Sequence, residues 1–168
     1  MGVTVHFEGT LKSANDYTEV INKATAFATE NNFEFETFAF ENKKLYRVKD
    51  DTDWDYEGAT KGIKIKLDDA AEPFILEFDT DLHLQEYCKT QFASIKVHIK
   101  LITFLRSIKL HFATLEVLDE GEYWEFNDVP TLQKNISDAF KAIEKSKKEN
   151  PALNGPYITD DDRIVDLM

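Results

Sequence analysis

The chain has 168 residues, 42% of them hydrophobic and 13 of them Phe, which excludes a disordered chain and suffices for one folded domain, residues 1–168, with a real core. Its 20 basic residues face 32 acidic ones, and a net charge of −12 repels phosphate backbones and anionic lipid surfaces while attracting basic partners. Cys88 is the one cysteine, so no internal disulfide can form; no stretch approaches the roughly 18 apolar residues of a membrane span, and the opening MGVTVHFEGTLK lacks the charged and apolar regions of a signal peptide. A soluble cytoplasmic protein is expected, with no nucleic-acid or membrane partner.

In chain order, VTVHF (3–7) alternates Val3, Val5 and Phe7 against Thr4 and His6, the pattern of a half-buried strand with His6 toward solvent. Tyr17, Val20, Ile21, Ala24, Phe27 and Ala28 then recur at helical spacing. Ser13 and Asp16 form a capping-box-like start, and Asn31-Asn32 tolerate the left-handed geometry that ends helices. FEFETFAF (33–40) and KKLYRV (43–48) read as two strands around a turn at Asn42, with the uneven phenylalanine pattern of the first marking a bulge or a strand end. GIKIKL (62–67) and PFILEF (73–78) read as two more strands joined by a hairpin-like DDAAEP.

The segment 91–112 carries two apolar stripes at helical spacing, and Lys96, Lys100, Thr103 and Ser107 make a polar stripe at the same spacing, so a long, mostly buried helix is predicted. TLEVLDEGEYWEF (114–126) reads as strand, turn, strand, with Gly121 supplying a positive φ and Trp124 and Phe126 on the face opposite Tyr123 and Glu125. A last helix spans roughly 129–148, capped by Asp128 and stopped by Asn150-Pro151, before a docked tail or short hairpin over 151–168. The order β-α-β-β-β-β-α-β-β-α predicts an α+β fold: an antiparallel sheet with about three helices mainly on one face. The first seven elements follow the order of one half of the TATA-binding-protein-like fold, a similarity that no motif accompanies and that implies no function.

Motif chemistry narrows by elimination. Asp51, Asp53 and Asp55 fit the first, third and fifth ligand positions of an EF-hand loop. Tyr56 replaces the turn glycine and Gly62 the closing glutamate, so no EF-hand is read, although a looser carboxylate site stays open. His6, His83, His98 and His111 lack zinc spacing, and Cys88 reads as a small buried hydrophobe rather than a nucleophile. Phosphate-loop, dinucleotide and nucleophile-elbow motifs are absent, so neither a cofactor nor a metal is assigned.

Two stretches remain. Residues 50–57 hold five acids and no base, residues 116–128 hold six acids and no base, and each contains one of the two tryptophans. The plain reading is that Trp54, Tyr56, Tyr123 and Trp124 anchor surface loops. The functional reading is a binding site made of Asp53, Trp54, Asp55, Tyr56, Glu57, Glu122, Tyr123, Trp124 and Glu125, docking a basic protein by cation–π contact and ion pairing. On this reading the protein is a non-enzymatic binding module. The alternative is a small-molecule or carbohydrate site, hydrolytic if its carboxyls pair across a sugar, between the 50–58 and 119–126 loops. The two readings divide on whether Trp54 and Trp124 share a surface.

Overall fold

The computed structural model describes residues 2–168, and its elements follow from the periodicities above with four corrections. Strand β1 (Thr4–Leu11) leads to helix α1 (Ala14–Glu30), whose cap is Ser13: its Oγ accepts the Asp16 amide at 3.2 Å. Asn32 takes the expected left-handed turn after it, at φ 57°. Strand β2 (Glu34–Leu45) is then continuous, which is the first correction: the expected turn at Asn42 is a bulge, where the register against the next long strand slips between Phe40 and Lys43. A short hairpin of β3 (Val48–Lys49) and β4 (Thr52–Asp53) follows, then β5 (Tyr56–Lys66), β6 (Phe74–Phe78) and β7 (His83–Lys89).

Strand β7 is the second correction, because no strand is predicted over HLQEYCK. Helix α2 (Ile95–Ile108), capped by Ser94, forms the core of the long helix expected over 91–112, and a 3-10 turn (Lys109–His111) ends it. Strand β8 (Phe112–Asp119) precedes a short helix α3 (Tyr123–Phe126), the third correction, since EYWEF was expected to be a strand. The fourth is Gly121: Glu122 carries the positive φ, 62°, while a Cβ at Gly121 would crowd Leu132 Cδ1 at 2.6 Å and Asp119 Oδ1 and His98 Nε2 at 3.1 Å. Helix α4 (Val129–Glu149) is capped by Asp128, and a hairpin of β9 (Tyr157–Ile158) and β10 (Ile164–Val165) closes the chain.

Among the described residues all strand pairings are antiparallel: two three-stranded ladders ordered β2-β5-β6 and β7-β1-β8, and the two-stranded hairpins β3-β4 and β9-β10; the fold is α+β. Strands β6 and β7 meet through a tight turn, where the Asp79 amide donates to His83 O at 3.0 Å, and then separate into different ladders. Side chains occupy the split and satisfy the backbone of β7 that faces it. Arg47 donates to His83 O (3.1 Å), Arg163 donates to Tyr87 O (2.8 Å), and Glu72 accepts the Lys89 amide (2.8 Å). The main core lies between the sheet and the helices. Val5, Phe7, Ile63, Ile65 and Leu76 meet Val20 and Ala24 of α1 and Leu101 and Leu105 of α2, each burial contributing roughly 1.5–3 kcal/mol for the larger side chains. The C-terminal hairpin docks through buried Ile164, whose amide donates to Glu72 Oε2 at 2.9 Å, and through the Lys89–Asp166 pair at 2.7 Å.

Candidate functional site

The acids and aromatics of DWDYEG fold around a cation of the chain itself. Arg47 is buried, its guanidinium lies 5.7 Å from the Trp54 ring centre and 5.4 Å from that of Tyr56, and its Nη1 donates to Asp79 at 2.7 Å. The Arg47 amide donates to Asp55 Oδ1 (3.2 Å), and Lys49 Nζ lies 5.2 Å from the Trp54 ring. Tyr56 donates its hydroxyl proton to Ala59 O at 2.8 Å. Asp53 and Glu57 stay exposed. Burial pushes the Asp79 carboxyl up, but the Arg47 bond and charge and the His83 and Asp81 amides outweigh it and hold its pKa below the usual 3.8. Among the described residues no group of three or more carboxylate, His or Cys side chains is placed to hold a metal ion.

EGEYWEF is anchored in a comparable way. Asp119, 2% exposed, accepts the amides of Gly121 (2.8 Å), Tyr123 and Trp124 (both 2.9 Å), which pins the start of α3. Arg106 on α2 donates to Tyr123 O (2.7 Å), Trp124 O (3.0 Å) and Asn127 Oδ1 (2.8 Å), which pins its end. That double clamp is why a strand-like pattern became a helical turn. Tyr123 is buried and Trp124 half-buried against the core, while Glu122 and Glu125 face outward. Asp119 also receives His98 Nε2 at 3.0 Å, and His98 Nδ1 lies 2.6 Å from Thr90 Oγ1. This hydroxyl–imidazole–carboxylate chain has the connectivity of a catalytic triad, but Thr90 is 1% exposed and His98 fully buried, and its bonds lock α2, β8 and α3 together. Cys88 is likewise buried, donates to Glu72 O at 3.2 Å and has a thiol pKa raised by burial, which suits packing rather than chemistry.

The two tryptophans do not share a cleft. Trp54 packs against His83, opposite Thr10 in the ladder, whereas Trp124 hangs from Asp119, opposite Val5. Five residues of β1 separate those rungs, about 17 Å at roughly 3.4 Å per residue. They also lie on opposite faces, because Thr10 and His83 point away from the helices and Trp124 packs among them.

No protein-family model, curated protein or solved structure matches the chain.

What gathers instead is the face of the sheet that the helices leave open. The buried register positions Val5, Phe7, Leu84, Ile63 and Ile65 face the core. Their alternates His6 and Glu8, Tyr87 and Gln85, Leu118 and Glu116, and Lys64 and Lys66 with Glu36 and Glu34 face outward. The β3–β4 hairpin folds over one part of this face through Gln85, which donates to Val48 O (2.7 Å) and accepts the Val48 amide (3.0 Å). Val48, Trp54, Tyr87 and Leu118 are all more than 40% exposed there, an apolar set interleaved with Glu116, the hairpin acids and Glu8, which lies 3.3 Å from His83 Nε2, while the Arg163 guanidinium sits 3.9 Å from the Tyr87 ring centre. Of the nine residues predicted from the sequence, Asp53 ends the hairpin at this face, Trp54 and Asp55 follow it, Tyr56 and Glu57 begin β5, and Glu122 to Glu125 lie apart from it. Leu118, Tyr87 and Val48 were missed. The period-two pattern of β1, which put His6 toward solvent, was the signal that could have led to Leu118 and Tyr87 as its ladder partners.

Proposed function

We propose that the chain is a non-enzymatic protein-binding module that docks a basic protein across the open face of its sheet. The observation that carries this is the coincidence, on that face, of exposed apolar side chains with acids, of which Glu116 and Asp53 make no ion pair among the described residues, in a chain whose net charge is −12. Tyr and Trp surrounded by charge suit an interface core with an ionic rim, and the acidic field speeds encounter with a basic surface. The aromatic rings of the two acidic stretches already hold Arg47, Lys49, Arg106 and Lys109, so the partner's cations meet carboxylates rather than ring faces. A cleft between the 50–58 and 119–126 loops is disfavoured by their placement at opposite ends of β1.

The test compares variants of the two regions in capture of the partner on immobilised protein. Glu8→Lys with Glu116→Lys should cut the captured amount by at least about tenfold, and raising salt from about 50 to about 500 mM should release what the native chain holds. Glu122→Lys with Glu125→Lys, equal in charge change, should bind like the native chain. Equal loss from both pairs, or capture indifferent to salt, would refute the proposal.

A further inference from the structure

The outer edge of β2 offers a more specific contact. Among the described residues β2 pairs only with β5, so the other side of Glu34–Leu45 is an open strand edge. Its regular part runs from Glu34 to Phe40, where the bulge begins, about 23 Å of backbone at roughly 3.3 Å per residue. Proteins protect such edges with short strands, bulges and charge. Here the regular part carries two acids and no base, together with Phe35 at 41% and Phe40 at 46% exposure. Glu34 and Glu36 stand opposite Lys66 and Lys64 in the ladder, but Lys66 pairs with Asp69 (2.8 Å) and Lys64 with Asp162 (3.2 Å). Among the described residues Glu34 and Glu36 make no ion pair. They border a groove of about 540 Å³ that Ile158 and Ile164 of the C-terminal hairpin help to wall.

We infer that an extended segment of a basic partner adds to β2 as a further strand, with Lys or Arg at alternate positions beside Glu34 and Glu36 and apolar residues between them beside Phe35. This rests on the basic-partner reading above and specifies how such a partner binds. Main-chain hydrogen bonds supply the affinity, and the alternation of charge and apolar surface along the edge supplies the selection. A second copy of this chain is a poor occupant: both copies carry −12, and pairing Glu34–Phe40 with itself creates no ion pair. At the outer edge of the second ladder, β8 leads after a short turn into α3, which stays in contact with it.

The probe is a nine-residue synthetic peptide alternating Lys and Val, compared with a peptide of the same composition in two blocks and with an alternating peptide N-methylated at every second residue. Calorimetry at low salt should show the alternating peptide binding at least about tenfold more tightly than either. Amide hydrogen exchange should slow within Glu34–Phe40, and Glu34→Lys with Glu36→Lys should remove at least about tenfold of the affinity while circular dichroism stays native. If the alternating and block peptides bind equally, or the edge amides stay unprotected, strand addition is wrong while docking of a basic partner stands. If neither peptide binds at low salt, both readings fall. Sedimentation showing that the chain alone dimerises through β2 would also overturn the inference, because the edge would already be occupied.

Discussion

Arg47 and Asp79 form a buried ion pair at 2.7 Å, with side chains 3% and 6% exposed, at the turn where the two ladders of the sheet part. The same guanidinium also supplies the hydrogen bond to His83 O and lies against Trp54 and Tyr56, so one side chain ties the β3–β4 hairpin to β7. Removing one partner of such a pair strands the other charge, at a cost of about 3–5 kcal/mol. Arg47→Ala should lower the urea midpoint accordingly and, in a Trp124→Phe background, shift Trp54 emission to the red as the hairpin detaches. Arg47→Lys should recover little, because a point charge cannot reach Asp79 and His83 O together in the planar geometry that Arg provides. A hairpin that stays docked in Arg47→Ala would remove Arg47 from this role.

Asp119 fixes the other acidic-aromatic stretch, and its titration should be visible in acid. Burial pushes its carboxyl up, but the His98 bond and charge and the Trp124 and Gly121 amides prevail and hold its pKa below 3.8. A folded pKa below the unfolded one means that the stabilisation is complete above about pH 4 and is lost as pH falls through the folded value. Asp119→Ala should therefore cost about 3 kcal/mol at pH 7 and free Trp124, and the gap between variant and native chain should narrow below pH 4. Asp119→Asn, which keeps one carbonyl acceptor for the α3 amides, should cost less. Urea unfolding at pH 7 and pH 3, followed by Trp124 emission in a Trp54→Phe background, measures both.

How much of this was legible depends on whether a side chain obeyed its periodicity. Helix α1 was readable because Val20, Ala24 and Ala28 are buried at helical spacing and Ser13 caps it in sequence. Strand β7 was not, because Glu86 holds the register position between Leu84 and Cys88 that alternation reserves for an apolar residue, and its compensation by Arg163 comes from the far end of the chain. The clamp on α3 needs Asp119 and Arg106, one on a strand and one on a helix, so local pattern favoured a hairpin. The acidic-aromatic stretches were found as sequence, but their cations, Arg47 and Arg106, could be assigned only once the chain had folded around them.

Gly62 tests the packing of the ladder that carries β2. It sits between Phe38 and Glu77 in the middle of β2-β5-β6, and a Cβ there would fall 1.7 Å from Leu76 O and 2.8 Å from Leu76 C. Both atoms are backbone, so relief requires the strands to move apart. Gly62→Ala should lose about 2–3 kcal/mol, the upper part of the usual cost of an overpacked site, despite the better strand propensity of alanine. Thermal unfolding decides it: a Tm within a degree or two of the native chain would mean that β5 and β6 yield more easily than their ladder suggests.

Glu86 should make stability fall as pH rises through neutrality. Burial in the split, with the Glu77 carboxylate adding repulsion and Arg163 only partly offsetting it, raises its pKa from 4.5 to about 7. Between those values the folded chain holds a proton that the unfolded chain releases, so the contribution of Glu86 is intact near pH 4.5 and is lost as pH climbs toward 7. The span between the two values bounds the effect at about 3 kcal/mol. His83 works against it in part of the same range, since burial and the Arg47 charge lower its pKa below 6.5 and its neutral form gains stability as pH rises. The difference between the native chain and Glu86→Gln separates the two, because His83 is common to both. Glutamine keeps an acceptor for Arg163 and never ionises, so the variant should be the more stable chain at pH 8 by about 1–3 kcal/mol and close to native at pH 5. Urea midpoints at the two pH values measure this, and a difference that does not change with pH would show that Glu86 is already ionised in the folded chain at pH 5.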